Sequence, residues 1–246
     1  MKYKLLALDI DDTVTKDFCN TASNSVRKAL EQASKKIQIT FVTARALKGL
    51  INFLDNIILP AQYHVVENGA KVLRPDRSIV YDRHIPHTEV QKILNVAEPY
   101  YLEPGFLADE HWVDGVVSDV SVTGLSFSCK SEENAIKLKA SILTLSNEYT
   151  VYSGRHWSVE DLIAVLVFHK NATKGSGMEY IQKQLRISKE ETIAVGDGMT
   201  DASMFDAAGL KVAMANGEES LKIQADYVCP SIDKDGLVEV IRKYVQ

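Results

Sequence analysis

The chain has little of the cysteine that marks secreted or zinc-stapled proteins. Its 246 residues include three cysteines, Cys19, Cys129 and Cys229, which are far apart and odd in number. We therefore expect no disulfide framework and no zinc-spaced pair, and we expect a reducing, cytoplasmic location. Long apolar runs are also missing. No segment approaches the roughly 18 apolar residues that a membrane helix needs, and the N-terminal apolar stretch is too short for a secretory signal.

An excess of positive charge is absent as well. The chain carries 28 Lys and Arg against 33 Asp and Glu, which gives a formal net charge of -5. Nucleic-acid and membrane surfaces require a basic face, so we expect neither as a partner. The sequence has no G-x-x-x-x-G-K-[ST] loop, which disfavours nucleotide-driven chemistry. We expect a small-molecule substrate and a monomer or a small homo-oligomer.

Strand and helix signals alternate in the first and last parts of the chain. Short apolar runs predict buried strands at 5–8, 37–42, 63–66, 192–195 and 212–214. Helical spacing of apolar residues predicts helices at 26–33, 47–54, 174–185, 201–209 and 235–245. Strands separated by helices of this length are typical of a parallel sheet.

The rhythm changes between residues 83 and 169. Helices are predicted there at 88–97 and 132–145, and strands at 116–122, 125–129, 149–153 and 162–168. Consecutive strands without helices between them favour antiparallel pairing. We therefore predict an α/β protein with a discontinuous parallel-sheet core, residues 1–82 and 170–246, and an inserted α+β domain, residues 83–169.

Two pairs of carboxylates follow predicted strands. Asp9 and Asp11 come after the first strand, and Asp197 and Asp201 come after the strand at 192–195. Open α/β sheets bind ligands at the carboxyl ends of their strands. Four acids gathered there repel one another unless a cation joins them, and oxygen ligands suit Mg²⁺. The alternative is that Asp11 and Asp201 only cap backbone amides.

Two further polar residues stand at element ends. Thr43 ends the second predicted strand, where a hydroxyl suits a phosphate oxygen, although a simple cap is the alternative. Lys174 opens a predicted helix, where the positive end of the helix dipole disfavours a cation. This placement is explained if the ammonium faces acids or phosphate; otherwise Lys174 is a solvated lysine.

In order along the chain, four segments resemble the motifs of the haloacid dehalogenase (HAD) superfamily. The four segments are Asp9-Ile10-Asp11-Asp12-Thr13, Thr43, Lys174 and Gly196-Asp197-Gly198-Met199-Thr200-Asp201. Glu67-Asn68-Gly69-Ala70 and the position of the insert look like its Cof-type, phosphoglycolate-phosphatase-like branch with a type-2 (C2B-like) cap. Asp12, Ala44 and Thr200 depart from the residues most common at their places, but none of these changes removes a catalytic group.

The resemblance implies a Rossmann-like HAD core with an inserted α+β cap. It also implies an Mg²⁺-dependent phosphatase that hydrolyses a small phosphorylated metabolite, either a sugar phosphate or a phosphoglycolate-like acid. Thr43 and Lys174 are expected to bind the phosphoryl oxygens. A phosphomutase that uses the same intermediate and a non-catalytic metal- or phosphate-binding regulator are the alternatives.

The resemblance also implies the roles of the acids. Asp9 is expected to attack phosphorus and form an aspartyl-phosphate, and Asp11 to act as general acid and then as general base. Mg²⁺ is expected to be held by Asp9, by the main-chain carbonyl of Asp11 and by Asp197, with Asp201 bound directly or through water.

In the insert, the polar and aromatic segment Arg155-His156-Trp157 follows Gly154 in a predicted turn and is our candidate for substrate specificity. His64 has no partner at ligand spacing, and we expect it at the surface or packed against the insert.

Overall fold

A computed structural model of the chain describes residues 2–16, 18–115, 122–156 and 158–245. Within these residues thirteen strands follow one another: β1 Leu5–Leu8, β2 Gln38–Phe41, β3 His64–Val66, β4 Lys71–Leu73, β5 Ile79–Asp82, β6 Pro104–Ala108, β7 His111–Asp114, β8 Val122–Cys129, β9 Tyr149–Arg155, β10 Ile163–His169, β11 Thr192–Gly196, β12 Leu210–Met214 and β13 Tyr227–Cys229. The described helices are α1 Asn24–Ala33, α2 Leu47–Leu54, α3 His87–Ala97, α4 Glu132–Leu145, α5 Lys174–Leu185, α6 Ala202–Asp206, α7 Glu219–Lys222 and α8 Gly236–Tyr244. Short 3₁₀ turns include Glu67–Gly69 and Met199–Asp201.

A parallel sheet forms the centre of the molecule, in the order β13-β12-β11-β1-β2. Strand β1, which lies between β11 and β2, is buried along its whole length, because helices cover both faces and every side chain meets a core. Leu6 and Leu8 pack on one face with Leu30 of α1, whereas Ala7 packs on the other face with Met178 of α5. The predicted α/β fold with a parallel sheet is confirmed.

The strand predicted at 63–66 does not join this sheet, so that part of the prediction is wrong. β3 pairs antiparallel with β4, β4 pairs with β5, and β3 meets the parallel sheet through a single bridge. Side chains replace the missing ladder: Gln62 Oε1 accepts the N–H of Ile39 at 2.7 Å, and His64 Nδ1 accepts the N–H of Phe41 at 3.1 Å. His64 is therefore buried and not on the surface.

The segment between the two halves of the core forms a five-stranded antiparallel sheet in the order β7-β6-β8-β10-β9, with α3 and α4 packed on it. The antiparallel pairing is confirmed. Of the strand predicted at 116–122, only Val122 lies within the described residues, as the first residue of β8. The β6–β7 hairpin was not predicted, since its turn residues Asp109 and Glu110 adopt positive φ values of 46° and 70° without a glycine.

The helix predicted from Asp201 to Gly209 is shorter than expected. Residues Met199–Asp201 form a 3₁₀ turn and α6 spans only Ala202–Asp206. Gly209 passes so close to the backbone of Glu190 that a Cβ would lie 2.6 Å from its Cα, and the chain turns there into β12. No helix among the described residues has the length and apolarity needed to span a bilayer.

Candidate active site

The ends of three neighbouring strands bring predicted residues to one edge of the parallel sheet. Asp9 follows β1, Thr43 lies two residues beyond β2, and Asp197 follows β11, with the three strands side by side. The N–H of Asp9 continues the ladder by donating to the carbonyl of Val195 at 3.0 Å. Helix α5 adds Lys174 to the same place.

Lys174 is the first residue of α5, and its ammonium faces carboxylates. Its Nζ lies 2.7 Å from Oδ1 of Asp9 and 2.6 Å from Oδ1 of Asp201, and the side chain is only 2% exposed. The side-chain Oγ1 of Thr173 caps the helix by accepting the N–H of Ser176 at 3.1 Å. Two buried acids thus stabilise the ammonium of Lys174 at the positive end of a helix dipole, and the alternative of a solvated lysine is wrong.

Asp201 has both carboxylate oxygens engaged inside the protein. Oδ1 accepts from Lys174, and Oδ2 accepts the backbone N–H groups of Asp197 and Gly198, each at 2.9 Å. Gly196 makes this possible, since a Cβ there would lie 2.5 Å from the carboxyl carbon of Asp201. The carboxylate does not cap α6. Because its lone pairs serve these donors, Asp201 fits an indirect, water-mediated contact with a metal better than direct ligation.

The cluster of Asp9, Asp197 and Asp201 fits a hard divalent cation. Each acid offers a carboxylate oxygen, and these oxygens lie within 4.8 Å of one another. Thr13 orients the set by donating its hydroxyl to Oδ1 of Asp197 at 3.2 Å, a role that the sequence did not reveal. An all-oxygen donor set at this spacing suits Mg²⁺, which binds through one or two carboxylates and keeps several waters.

The electrostatics of the cluster support the same conclusion. Burial raises the pKa of Asp9 to about 7, and the charges of Asp201 and Asp11 add to this while Lys174 opposes it. Burial and the charge of Asp9 raise the pKa of Asp197 well above its ordinary value. Burial would lower the pKa of Lys174, but its carboxylate partners outweigh this and raise it. One ammonium does not balance three carboxylates, and a divalent cation would supply the missing charge.

Arg45 holds the carboxylate of Asp11 apart from the cluster. The four predicted acids therefore do not form one group: three carboxylates cluster, and that of Asp11 pairs with Arg45. Arg45 Nε lies 3.0 Å from Oδ2 of Asp11, and Nη2 lies 2.7 Å from Oδ1. The guanidinium is itself fixed, since it donates to the carbonyl of Cys19 and to the side chain of Asn20, each at 2.8 Å. Sequence reasoning missed Arg45, although it stands two residues after Thr43.

Thr43 is completely buried at the end of β2. Its Oγ1 accepts the N–H of Arg45 at 3.1 Å, which leaves the hydroxyl hydrogen to be donated elsewhere. Its carbonyl accepts the N–H of Asn68, and its own N–H donates to Val65, each at 3.0 Å. The backbone of Thr43 is therefore fixed on both sides, which is what its expected role in binding phosphate would require.

Arg155, from the specificity candidate, reaches the edge of the core. It is the last residue of β9 and not part of a turn, and its Nη2 lies 3.5 Å from Oδ2 of Asp12. Asp12 directly follows the second predicted catalytic acid and has a φ of 55°. Trp157 lies outside the described residues. The long distance and the exposure of Arg155, 77%, leave its guanidinium available to a ligand.

His156 points into the antiparallel sheet and holds a loop. Its Nδ1 accepts the N–H groups of Ser158 and Val159 at 3.2 and 3.1 Å. Its Nε2 lies 3.1 Å from the hydroxyl of Ser128 on β8. Burial lowers the pKa of His156, which favours the neutral ring that these contacts need. The structure therefore places His156 in support of the loop after β9.

The sequence also did not reveal that Tyr152 and Gly154 of β9 contact the core. The hydroxyl of Tyr152 lies beside Asn68 and Ser203, and burial raises its pKa. Two residues on, a Cβ at Gly154 would lie 3.3 Å from Oε1 of Glu218. Around Tyr152 an apolar contact joins the two sheets, formed by Ala46, Ala70, Leu107, Leu166, Phe168 and Ala172. The insert thus packs against the core beside the strand ends.

Comparisons with known proteins agree with this architecture. A model of the family described as haloacid dehalogenase-like hydrolase matches residues 6–141 and 117–241. A phosphoglycolate phosphatase of Methanobrevibacter smithii is 26% identical over 261 residues, covering 100% of both chains. BT1666 from Bacteroides thetaiotaomicron, studied among phosphatases of the HAD superfamily, superimposes with a TM-score of 0.81 at 22% identity, over 98% of this chain and 94% of its own. The subclass IIB sugar phosphatase BT4131 gives a TM-score of 0.77 at 24% identity, over 98% of each chain.

Proposed function

The chain belongs to the haloacid dehalogenase-like hydrolase family and is a phosphoric monoester hydrolase, and we propose that it removes phosphate from small phosphorylated metabolites through an aspartyl-phosphate on Asp9. The resemblance found in the sequence is confirmed at the level of the family. One observation carries the proposal: a buried ammonium, that of Lys174, binds Asp9 and Asp201 beside a third acid at the ends of the central strands.

In the proposed reaction, Asp9 attacks phosphorus with Oδ2 while Lys174 holds Oδ1. The bond between phosphorus and the leaving oxygen breaks, and Asp11 gives its proton to that oxygen. Water then attacks the phosphoaspartate, Asp11 takes the proton from the water, and the bond between Asp9 and phosphorus breaks. Thr43 and Lys174 bind the phosphoryl oxygens throughout.

We propose Mg²⁺ as the cofactor, held by Asp9, by the main-chain carbonyl of Asp11 and by Asp197, with Asp201 in contact through water. When bound, Mg²⁺ neutralises charge on the phosphoryl oxygens and orients the group for in-line attack. The closely spaced carboxylate oxygens and the raised pKa of Asp197 support a cation at this place.

We propose a small leaving group, from a sugar phosphate or a phosphoglycolate-like acid. The close approach of Tyr152 and Gly154 to the core supports this size limit. The guanidinium of Arg155, at the same edge, can bind a hydroxyl or a carboxylate of the leaving group. The related protein of M. smithii is named for an acid of this size.

We further propose two domains, a core of residues 1–82 and 170–246 and a cap of residues 83–169. Separate apolar clusters support the division: one belongs to β6, β8, β9, β10, α3 and α4, and others to the parallel sheet and its helices. We also propose a cytoplasmic enzyme, since the three cysteines are free thiols.

Replacing the proposed nucleophile tests the function. Asp9→Asn keeps an oxygen for Lys174 but removes the attacking carboxylate, so phosphate release should fall by about 10³-fold or more. The assay is phosphate release from a panel of phosphorylated metabolites, with far-UV circular dichroism to show that the variant folds. Asp206→Asn, an exposed site on α6, is the matched control and should keep full activity. A folded Asp9→Asn variant that releases phosphate at the wild-type rate would refute the assignment. Conversion of a sugar 1-phosphate to its 6-phosphate without phosphate release would indicate a phosphomutase.

A further inference from the structure

Glu67 is a completely buried carboxylate that the proposed reaction does not use. Its Oε2 accepts the hydroxyl of Thr123 at 2.7 Å and lies 3.1 Å from the ammonium of Lys71. Its Oε1 accepts the N–H of Leu47 at 3.1 Å. A buried charge is costly unless such partners satisfy it, so a carboxylate kept here calls for a reason beyond packing.

The first consequence of this arrangement is a fixed start for α2. Helix α2 has Ala46 at its N-cap and no side-chain cap of its own. Oε1 of Glu67 supplies the missing acceptor at Leu47, and its negative charge also suits the helix dipole. The backbone N–H of Glu67 donates to the carbonyl of Arg45 at 3.0 Å. Glu67 therefore holds the chain on both sides of Ala46.

Asn68 holds the beginning of the loop that runs from Thr43 to the start of α2. The N–H of Asn68 donates to the carbonyl of Thr43 at 3.0 Å, and its Nδ2 donates to the carbonyl of Ala172 at 3.1 Å. Ala172 lies just before the helix that begins with Lys174. The loop that carries Thr43 and Arg45 and the segment that carries Lys174 are thus bound to one short turn.

This turn has an unusual backbone. Glu67, Asn68 and Gly69 have φ values of 53°, 55° and 97° in succession, and a Cβ at Gly69 would lie 2.0 Å from the carbonyl oxygen of Thr173. Residues other than glycine are strained in such conformations, which persist where the surroundings enforce them, often at functional sites. The surrounding contacts therefore hold Glu67 and Asn68 in a strained backbone conformation.

The contacts form a continuous path from the insert to the proposed general acid. Thr123 on β8 binds the carboxylate of Glu67, which also accepts the N–H of Leu47. The backbone N–H of Glu67 donates to the carbonyl of Arg45, and the guanidinium of Arg45 holds Asp11. Within the path, Glu67 is the one member that contacts both the insert and the core loop. The side chain of Glu67 holds this loop at Leu47, two residues after Arg45, so its displacement would release the start of α2 and allow Arg45, with the carboxyl group of Asp11, to move.

We propose that Glu67 is a positioning residue for proton transfer, which sets Asp11 through Arg45 and makes its placement depend on the docked insert through Thr123. This inference rests on the proposed phosphatase function. Glu67 touches neither phosphoryl group nor metal in this scheme. Its effect belongs to the step in which the bond to the leaving oxygen breaks and Asp11 protonates that oxygen.

The dependence on the leaving group separates positioning from general damage. A good leaving group such as 4-nitrophenolate departs without a proton, whereas an alkoxide or a phenolate of high pKa needs one. Misplacing Asp11 should slow the esters of poor leaving groups most. A loss of folded protein would instead lower every rate by the same factor.

The experiment measures kcat and KM of the full chain on a series of aryl phosphates of rising leaving-group pKa, together with an alkyl phosphate. Glu67→Gln should lower kcat by about 10²-fold for the poorest leaving groups, the low end of what acid–base catalysis contributes, and by only a few-fold for 4-nitrophenyl phosphate. KM should change little. Thr123→Val, which removes one hydrogen bond to Glu67, should steepen the same dependence by less. Gln182→Leu removes buried hydrogen bonds to Thr192 and Ala207, away from this path, and should leave the dependence unchanged.

The outcomes are distinct. Wild-type enzyme that hydrolyses no phosphate monoester would overturn both proposals. Wild-type hydrolysis with an unaltered leaving-group dependence in both Glu67→Gln and Thr123→Val would overturn the positioning role alone. If Glu67→Gln does not fold, Thr123→Val decides, because it leaves the ion pair with Lys71 in place.

Discussion

The guanidinium of Arg45 holds the carboxylate of Asp11 by two nitrogens, Nε at 3.0 Å and Nη2 at 2.7 Å. The two side chains come from loops that follow neighbouring parallel strands, β1 and β2. A planar fork fixes both the position and the rotation of a carboxyl group, which a single ammonium does not. In the proposed reaction, the pair therefore sets where Asp11 can deliver its proton.

Arg45→Lys should accordingly cost activity although it keeps the charge. Because the lysine loses the two-point contact, we expect kcat on an alkyl phosphate to fall by about 10²-fold. Steady-state kinetics measures this. The control is Arg77→Lys, since Arg77 forms an exposed pair with Asp55 at 2.7 Å. Equal activity of Arg45→Lys and wild type would show that the fork is dispensable.

Lys174→Met should destabilise the fold as well as abolish turnover. The change leaves the acids of the cluster without their buried counter-ion, and breaking a buried pair typically costs about 3–5 kcal/mol. Urea unfolding measures the loss, and added Mg²⁺ should restore part of it by supplying positive charge. Lys170→Met breaks an exposed pair with Glu148 and should change the free energy of unfolding by less than about 1 kcal/mol. Unchanged stability of Lys174→Met would contradict the electrostatic account of the cluster.

Removal of divalent metal should abolish phosphate release, and Mg²⁺ should restore it. Ca²⁺ should inhibit, because its larger and looser coordination shell accepts extra ligands and disturbs in-line geometry. Asp197→Asn should raise the Mg²⁺ concentration needed for half-maximal activity. Titration of chelator-treated enzyme with each ion tests these points. Full activity after exhaustive removal of metal would rule out the metal site.

Arg155→Gln should change the preference among substrates more than it changes the chemistry. The guanidinium lies at the edge of the site and not among the buried acids, so it meets the organic part of a substrate. We expect several-fold changes in the ratio of kcat/KM between an acidic metabolite and a neutral sugar phosphate, and little change on 4-nitrophenyl phosphate. Lys137→Gln, exposed on α4, is the control on the insert. Equal losses on all substrates would mean that Arg155 serves closure or folding.

The buried ring of His64 predicts a dependence of stability on pH. Burial, helped by the charge of Arg77, lowers the pKa of His64 from 6.5 to about 3. Below pH 6.5 the unfolded chain therefore binds a proton that the folded protein does not, and the free energy of unfolding should decrease as the pH falls from 6.5 towards 3. His64→Asn keeps an acceptor for the N–H of Phe41 but does not titrate. Urea unfolding at several pH values should show a smaller loss for that variant, and identical pH profiles would exclude His64 as the cause.

The sequence predicted the parts of the fold that follow from local pattern. The apolar run at Leu5–Leu8 and the helical spacing at Leu47–Leu54 appear with the predicted bounds. Each is decided by burial of a continuous face, which the order of residues displays directly. The strand at His64–Val66 was predicted, but the sheet to which it belongs was not. The side chains of Gln62 and His64 occupy the edge of β2, and β3 pairs with β4 instead.

For the site, the sequence indicated which residues meet but not how each is held. Asp9, Asp197 and Lys174 converge because their strands and helix end at one edge, which topology dictates. The pairing of Asp11 with Arg45 depends on how two loops cross, and no periodicity records that. Glu67 beside Asn68-Gly69 has the composition of an exposed turn, yet it is buried because Lys71 and Thr123 reach it from elsewhere. The catalytic roles stay predictions until the variants are measured.

Side-chain acceptors along β2 have a consequence for self-association. The outer edge of a sheet ordinarily exposes N–H groups that recruit a strand from another molecule, which is a route to fibrils. Here Gln62 and His64 already occupy the N–H groups of Ile39 and Phe41. A neighbouring chain therefore finds no donor to pair with at those two positions, which disfavours the addition of a strand at this edge.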